Sequence, residues 1–218
     1  MNSPDSEGVI QFRLKKLDAY RKVFNEEACG DVLIKWRHLL IKLGWIGQDP
    51  DRYGGLGFGN ISIRIGSKTA DPDRRRFLIT GSQTGGLLHF SRGDCAIVTG
   101  FALKDHSLTY FGERKPSSEA LSHAAVYAAK PCVYACIHAH CPTIWRHRSA
   151  VADVCIAGHS KYGSADMSRG IYDALKSDKS SGPTLLAMSG HQDGVMAFGR
   201  DFKKAFSRLV EAYLTAAV

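Results

Sequence analysis

Apolar residues at helical spacing mark three segments of the chain. The stretch VLIKWRHLLIKLGW repeats an apolar residue every three or four positions, and Gly44 with Gly47 offers an end. Its apolar positions are Val32, Leu33, Trp36, Leu39, Leu40 and Leu43. The stretch PSSEALSHAAVYAAK has serines at its start and Pro131 just beyond its end. The third segment opens at Asp201, and its apolar stripe is Phe202, Ala205, Phe206, Leu209, Val210, Tyr213 and Leu214. Each pattern predicts a helix.

Short apolar runs lie between and around these helices. Segments of this kind are ISIRIG, FLITG, CAIVTGF, LTYFG, CVYACIHAH, TLLAM and VMAFG. Glycine-rich or polar turns such as YGGLGFGN and SGHQDG separate them, which is typical of strands in an antiparallel sheet. A further short helix is predicted from Pro142 to Ala150. The pattern predicts one α/β domain over residues 1–218, with residues 1–28 as an N-terminal extension that packs on it.

Charge and cysteine content narrow the class of protein. The 218 residues include 29 Lys and Arg against 21 Asp and Glu, a net charge of +8. The basic residues form no stripe interleaved with aromatic residues, so we expect no nucleic-acid partner, while the positive charge suits an anionic substrate. No run is apolar enough for a membrane span or a secretory signal, so no membrane partner is expected. Six cysteines in a chain of this length favour a reduced, cytoplasmic protein.

Two histidines end one of the predicted strands. In IHAHC, His138 and His140 are two positions apart, so their side chains stand next to each other on one face of a strand. A lone histidine is more often a hydrogen-bonded core or surface residue. Two adjacent imidazoles suit two ligands of one metal ion, whereas they pack poorly in an apolar core. The pair therefore favours a metal site.

Glu119 and the serines before it open the second predicted helix. An acidic residue in a first turn stabilises the helix dipole, and Ser117 and Ser118 are ordinary capping residues, so a structural role explains all three. A helix N-terminus also attracts anions, because its first N–H groups have no partner within the helix. The serines are therefore candidates for binding a substrate phosphate, with Glu119 directed at the metal.

His191 lies in the turn SGHQDG between two apolar strands. A histidine in a loop is more often solvated than bound to a metal. This one gains weight because a zinc site with two histidines needs further ligands.

The order of these motifs resembles the class II aldolase/adducin family, which includes zinc-dependent sugar-phosphate aldolases and epimerases related to L-fuculose-1-phosphate aldolase. The resembling stretches are GFGNIS, FLITGSQTGG, PSSEALSHAAVY, CIHAHCP, TLLAMSGHQDGVMAFG and the helix ending EAYLTAAV. Together they span about residues 30–218. The resemblance implies an α/β fold, a three-layer α/β/α sandwich around a largely antiparallel central sheet. It also implies a homo-tetramer with its active site at a subunit boundary.

The resemblance also implies roles for particular residues. His138 and His140 match the family's zinc ligands, and Glu119 matches its acid/base glutamate, which approaches the metal when substrate is absent. The residues that match the phosphate pocket are Gly59, Asn60, Thr84, Gly85, Ser117 and Ser118. The implied cofactor is Zn²⁺ or another divalent transition metal. The implied activity is that of a lyase that forms the enediolate of a small phosphorylated or otherwise anionic hydroxy-carbonyl substrate.

Two residues are candidates for the third protein ligand of the metal. The family pattern H-G-x-x-x-x-G, counted back from Gly199 through Gly194, puts Asp193 at the ligand position. His191 lies two residues earlier, in a turn that has extra residues. A third neutral ligand leaves the ion a stronger Lewis acid. We expect His191 to be the ligand, with Asp193 the alternative or a partner that orients a ligand or a water.

Other reactions and another class of function stay open. The family's C-terminal-tail tyrosine has no counterpart up to Val218, and Tyr162 and His159 are stand-ins for its second catalytic tyrosine. A sugar-phosphate epimerase or dehydratase with the same site is therefore an alternative to a lyase. A non-catalytic, adducin-like interaction domain is another, although such a domain is expected to lose the metal ligands that this chain keeps.

Overall fold

The sheet and its helices were obtained as a computed structural model, which describes residues 9–23, 25–67, 69–178 and 180–218. The helices are α1 Glu26–Lys42, α2 Ala120–Ala129, α3 Pro142–Arg146, α4 Arg148–Val151, α5 Ala165–Ser177 and α6 Phe202–Ala217. The strands are β1 Arg13–Lys16, β2 Gly47–Gln48, β3 Gly57–Phe58, β4 Asn60–Arg64, β5 Phe77–Thr80, β6 Cys95–Ala102, β7 Ser107–Phe111, β8 Ala135–His140, β9 Val154–Ile156, β10 Thr184–Met188 and β11 Gly194–Gly199.

Nine of the strands form one sheet in the order β1-β7-β6-β5-β4-β8-β11-β10-β9. The two edge strands, β1 and β9, pair in parallel with their neighbours, and the other pairs are antiparallel. Strands β2 and β3 form a separate antiparallel pair. The prediction of a largely antiparallel central sheet is confirmed.

Different helices cover the two faces of the sheet. One core contains Ala124 of α2 and Ile171 of α5, and the other contains Leu33 of α1 and Leu209 of α6. Because side chains of a strand alternate between faces, β8 contributes to both cores. Its Ile137 and Ala139 belong to the α1/α6 core, whereas Cys136 belongs to the α2/α5 core. The three layers confirm the predicted sandwich.

The strand β8 lies at the centre of the molecule and positions the two histidines. In the ladder with β4, Asn60 is the partner of His138. In the ladder with β11, Gly194 is the partner of His140. Both histidines lie on the face that Cys136 shares with the α2/α5 core, because they are two and four positions after it.

The first helix is longer than its apolar pattern indicates. Helix α1 begins at Glu26, six residues before the first apolar position, since the acidic residues Glu26 and Glu27 suit a first turn. Its end is as predicted, because Gly44 adopts a φ of 66° that terminates the helix.

The apolar stripe of α1 is only partly its buried face. Leu33 and Leu40 are buried, but Leu39 is 37% exposed and Leu43 is 45% exposed. The buried line runs through Leu33, Arg37 and Leu40 at the i, i+4, i+7 spacing of a single helix face. A charged residue thus occupies a core position of the helix.

Two other predicted helices differ in detail. Helix α2 begins at Ala120, so Glu119 is its N-cap residue rather than part of its first turn, and its side chain makes no capping hydrogen bond. The helix predicted from Pro142 to Ala150 is two short helices, α3 and α4, that meet at His147.

The predicted N-terminal extension contains more regular structure than its sequence indicates. Residues 13–16 form β1, which extends the sheet beside β7, and α1 begins within residues 1–28. Residues 1–8 of this extension lie outside the described residues.

Candidate active site

Three imidazoles, two from the end of one strand and one from a turn, come together beside the sheet. His138 and His140 project from β8, and His191 comes from the turn between β10 and β11. Their ring centroids lie 5.1 Å apart for His138 and His140, 5.0 Å for His138 and His191, and 4.7 Å for His140 and His191. One nitrogen of each ring can be chosen so that all three lie within 4.8 Å of one another. All three residues are buried, at 0–3% exposure.

The hydrogen bonding of His138 shows which of its ring nitrogens is available. Its Nδ1 lies 3.1 Å from the carbonyl oxygen of Val195. A carbonyl oxygen only accepts, so Nδ1 carries the proton and Nε2 keeps its lone pair. That Nε2 is buried and makes no hydrogen bond within the described part of the chain. An oriented imidazole with a buried, available nitrogen fits a metal ligand.

Burial also sets the charge of the cluster. It lowers the pKa of His138 and of His140 well below the usual histidine value, and the neighbouring imidazoles lower it further. Both rings are therefore neutral at physiological pH. The neutral imidazole is the form that binds divalent metals, so the donor set fits such an ion.

Glu119 reaches the same cluster from the start of α2. Its Oε1 lies 3.8 Å from Nδ1 of His191. Its Oε2 accepts a hydrogen bond of 2.7 Å from the hydroxyl of Ser122, one turn further along the helix. The carboxylate is 1% exposed. Glu119 is thus oriented by Ser122 and directed at the imidazoles.

The turn that carries His191 is held in a defined shape. The N–H of His191 donates to the carbonyl of Met188 at 2.9 Å, and the N–H of Gly194 donates to the carbonyl of His191 at 3.0 Å. Asp193 adopts a φ of 61° in this turn. Its carboxylate accepts a hydrogen bond of 2.8 Å from the hydroxyl of Tyr53. The structure therefore brings His191 to His138 and His140, and directs Asp193 to a tyrosine.

A small polar cavity of about 30 Å³ is lined by residues that neighbour the histidines and Glu119 in the sheet or in the chain. It is lined by all six residues that the family resemblance assigns to a phosphate pocket: Gly59, Asn60, Thr84, Gly85, Ser117 and Ser118. Two of its residues link it to the cluster, because Asn60 pairs with His138 in the sheet and Ser118 directly precedes Glu119. A cavity of this size holds two or three waters, which suits one compact ionic group.

Close backbone contact explains the glycines of this cavity. A Cβ on Gly59 would lie 2.6 Å from a methyl carbon of Ile46 and 2.9 Å from the carbonyl oxygen of His138. A Cβ on Gly85 would collide with the backbone of Gly47. Both positions therefore require glycine for steric reasons, whatever else they contact.

The two residues proposed to replace the family's second catalytic tyrosine lie in different places. Tyr162 is buried, and its ring centroid lies 5.1 Å from that of His191. His159 is exposed. Of these two residues, the structure brings only Tyr162 to the cluster.

Two residues near the cluster were not among the sequence-based candidates. The Tyr53 ring lies edge-on to His140 at a centroid distance of 4.6 Å, and burial raises the pKa of its hydroxyl well above the usual tyrosine value. Arg37 lines the polar cavity. For Arg37 a signal existed, because it interrupts the buried i, i+4, i+7 line of α1 with a charge. For Tyr53, within a glycine-rich turn, the sequence offers no comparable signal.

The fold and the site define a class of α/β proteins with a buried cluster of histidines at the edge of a central sheet, and comparison with known proteins identifies the family. The sequence profile described as the Class II Aldolase and Adducin N-terminal domain matches residues 51–218. The chain belongs to the class II aldolase/adducin family.

Solved structures share the fold at low sequence identity. An L-fuculose 1-phosphate aldolase has a TM-score of 0.57 at 18% identity, with 87% of this chain and 83% of that chain covered. A sugar-phosphate aldolase from Thermotoga maritima has a TM-score of 0.60 at 16% identity, with 88% and 93% covered. YgbL from Klebsiella pneumoniae, a candidate aldolase/epimerase/decarboxylase, has a TM-score of 0.61 at 15% identity, with 89% of each chain covered. At these identities the likeness establishes the fold alone.

A search of the curated proteins found no significant match to the chain. Within the described residues, every helix is too short or too polar to span a membrane.

Proposed function

We propose that the chain is a divalent-metal-dependent lyase of the class II aldolase type. Its substrate would be a small phosphorylated hydroxy-carbonyl compound, and the reaction would pass through the enediolate of that substrate. The observation that carries this proposal is the meeting of three buried imidazoles with a buried carboxylate, Oε1 of Glu119 lying 3.8 Å from Nδ1 of His191. Burying four such polar groups together costs free energy. A domain that served only for protein interaction would gain nothing from this arrangement.

His138, His140 and His191 are the proposed ligands of the ion. Three neutral imidazoles suit Zn²⁺, and they also suit other divalent transition metals. Glu119 is proposed to approach the ion when substrate is absent. When bound, the ion supplies Lewis acidity to the carbonyl and hydroxyl oxygens of the substrate.

The remaining chemistry is assigned to side chains of this chain. Glu119 is the proposed acid/base that moves the proton as the enediolate forms or collapses, and the hydroxyl of Ser122 holds its other oxygen in place. Tyr162 is the proposed second proton-transfer group, because its buried ring packs against His191. Asn60, Ser117 and Ser118 of the polar cavity are proposed to bind the phosphate and so fix the reacting carbons.

The proposal also includes the oligomeric state, the cellular location and the partners of the protein. A homo-tetramer is supported by apolar side chains left exposed on α1 and α6, including Leu39, Leu43 and Leu214. A cytoplasmic location is supported by six cysteines that form no disulfide with one another. No nucleic acid or membrane is proposed as a partner.

An epimerase, a dehydratase or a decarboxylase would share the enediolate step with a lyase, so the first experiment targets that step. The metal-loaded protein is incubated in D₂O with a panel of ketose and aldose phosphates, and NMR measures exchange of the C–H next to the carbonyl. We expect exchange that a chelator abolishes and added metal restores. A folded, metal-loaded protein that exchanges no proton in any compound of the panel would argue for the non-catalytic, adducin-like alternative.

A further inference from the structure

Arg37 is a cation in the interior of the protein. It lies on the buried face of α1 between Leu33 and Leu40 and is 2% exposed. A guanidinium remains charged at any physiological pH. Because a buried charge costs free energy unless it is paired, its surroundings should contain a compensating group.

The protein supplies only neutral partners for this charge. The Nη2 of Arg37 donates to the carbonyl oxygen of Thr84 at 2.6 Å and to that of Gly85 at 3.4 Å. Its Cζ lies 4.0 Å from the centroid of the Phe90 ring. Throughout the described ranges, no carboxylate forms an ion pair with it. Asp94, which affects its pKa from a distance, is bound by Ser91 and Arg114. The positive charge is therefore left for a group that enters from outside.

The polar cavity is where such a group would enter. Arg37 lines it together with Asn60, Ser117 and Ser118. The carbonyls that accept from Nη2 belong to Thr84 and Gly85, which line the same cavity. A cation surrounded by neutral hydrogen-bonding groups is the chemistry of an anion site, and a guanidinium fork matches the oxygens of a phosphate.

We infer that Arg37 is the charged residue that recognises the anionic end of the substrate and so restricts the enzyme to phosphorylated or similarly anionic compounds. This inference rests on the proposed function, to which it adds the source of charge selectivity. The guanidinium of Arg37 stays protonated at physiological pH, so it is not assigned to the proton transfer. Its role is in binding.

A purely structural role is the competing explanation, because Nη2 also ties α1 to the loop around Thr84. Arg64 provides a matched control for that explanation. It is 3% exposed, donates to the carbonyls of Pro131 and Val133 at 2.7 and 3.3 Å, and lies 4.5 Å from the Tyr134 ring centroid. It does not line the polar cavity. The two arginines are thus alike in burial and in having carbonyl and aromatic partners, and only Arg37 lines the cavity.

The test is calorimetric titration of inorganic phosphate into the metal-loaded wild type, Arg37→Gln, Arg64→Gln and Ser118→Ala. Thermal unfolding and metal content are measured on the same samples. We expect Arg37→Gln to weaken phosphate binding roughly 10–100-fold, because a charged hydrogen-bond partner is lost. Arg64→Gln should bind phosphate like the wild type even though its stability falls. Wild-type affinity in a folded Arg37→Gln would overturn the inference.

The same samples separate this inference from the function it rests on. If Ser118→Ala weakens phosphate binding and Arg37→Gln does not, the cavity binds anions without Arg37, and only the inference fails. If the wild type binds no phosphate, the inference fails with the anion site, while metal content and proton exchange decide the proposed reaction independently.

A second measurement covers the case in which Arg37→Gln does not fold. Phosphate is titrated into ¹⁵N-labelled wild type, and the Arg37 guanidinium resonance is identified by its loss in Arg37→Lys. We expect phosphate to shift this resonance and to leave that of Arg64 in place. A resonance of Arg37 that does not respond to saturating phosphate would overturn the inference.

Discussion

The hydroxyl of Tyr53 donates a 2.8 Å hydrogen bond to the carboxylate of Asp193, joining residues 140 positions apart in the chain. The bond fastens the turn that carries His191 to the glycine-rich segment before β3. Arg52 strengthens the connection, because its Nη2 donates to the Tyr53 hydroxyl at 3.1 Å and to the carbonyl of His140 at 3.3 Å. Asp193 therefore acts on the cluster through the shape of the turn.

This relationship leads to a prediction about the two candidates for the third ligand. We predict that His191→Ala loses most of its bound metal, since it removes one of three converging imidazoles, and that Asp193→Asn keeps most of it. Metal content after dialysis against excess Zn²⁺ measures both. If Asp193→Asn loses the metal and His191→Ala keeps it, Asp193 is the third ligand, as the count back from Gly199 indicates.

Tyr53→Phe is predicted to weaken metal binding without removing a ligand. Loss of a residue that orients a metal ligand typically costs ~10–100-fold in affinity, and the effect here should be at the lower end because Tyr53 acts through Asp193. Competition with a chromophoric chelator measures the affinity.

Tyr20→Phe is the control for this change, because the Tyr20 hydroxyl donates to Glu26 at 3.0 Å, remote from the cluster. It should lose stability of about 0.5–1.5 kcal/mol, like Tyr53→Phe, but keep the wild-type affinity for metal. Equal metal affinities in the two variants would contradict the positioning role of Tyr53.

Glu119→Gln is predicted to retain the metal and to lose about 10²–10⁴-fold in proton exchange, because the amide cannot act as an acid/base. The D₂O exchange assay measures the loss on any compound that the wild type exchanges. Glu113→Gln makes the same change at an exposed position and should exchange at the wild-type rate. Undiminished exchange in Glu119→Gln would assign the proton transfer to another group.

Gly85→Ala is predicted to destabilise the fold by more than about 2 kcal/mol, since a Cβ there collides with the backbone of Gly47. Denaturant unfolding measures the change. Gly182→Ala is the matched control, because nothing lies within 4 Å of a Cβ at that position. If Gly85→Ala leaves the free energy of unfolding unchanged, the loop around Thr84 can move to accommodate the methyl group. That result would contradict the shape of the cavity described above.

Much of this molecule follows from its sequence because the main signals are local. The alternation that forms β8 also places His138 and His140 on one face, and the glycine after α1 ends that helix. The family pattern identified Gly59, Asn60, Thr84 and Gly85, which do line one cavity.

What the sequence did not reveal depends on contacts between distant segments. The partner of Asp193 lies on a turn near residue 53, and no spacing rule connects the two. The exposure of Leu39 and Leu43 depends on which face of α1 the rest of the fold covers. Arg37 is a different case, because its spacing from Leu33 and Leu40 was a signal in the sequence. Beside Trp36 and Leu39, its charge looks like the edge of an amphipathic helix, although Arg37 lies in the middle of the buried face.

The central claim is that His138, His140 and His191 bind one divalent ion. It is tested most directly by metal analysis of the wild type and of His138→Ala after reconstitution with Zn²⁺ and dialysis, with the exposed His147→Ala as control. We predict about one zinc per chain in the wild type and in His147→Ala, and little in a folded His138→Ala. A wild type that binds no stoichiometric metal, or a His138→Ala that binds as much as the wild type, would contradict it.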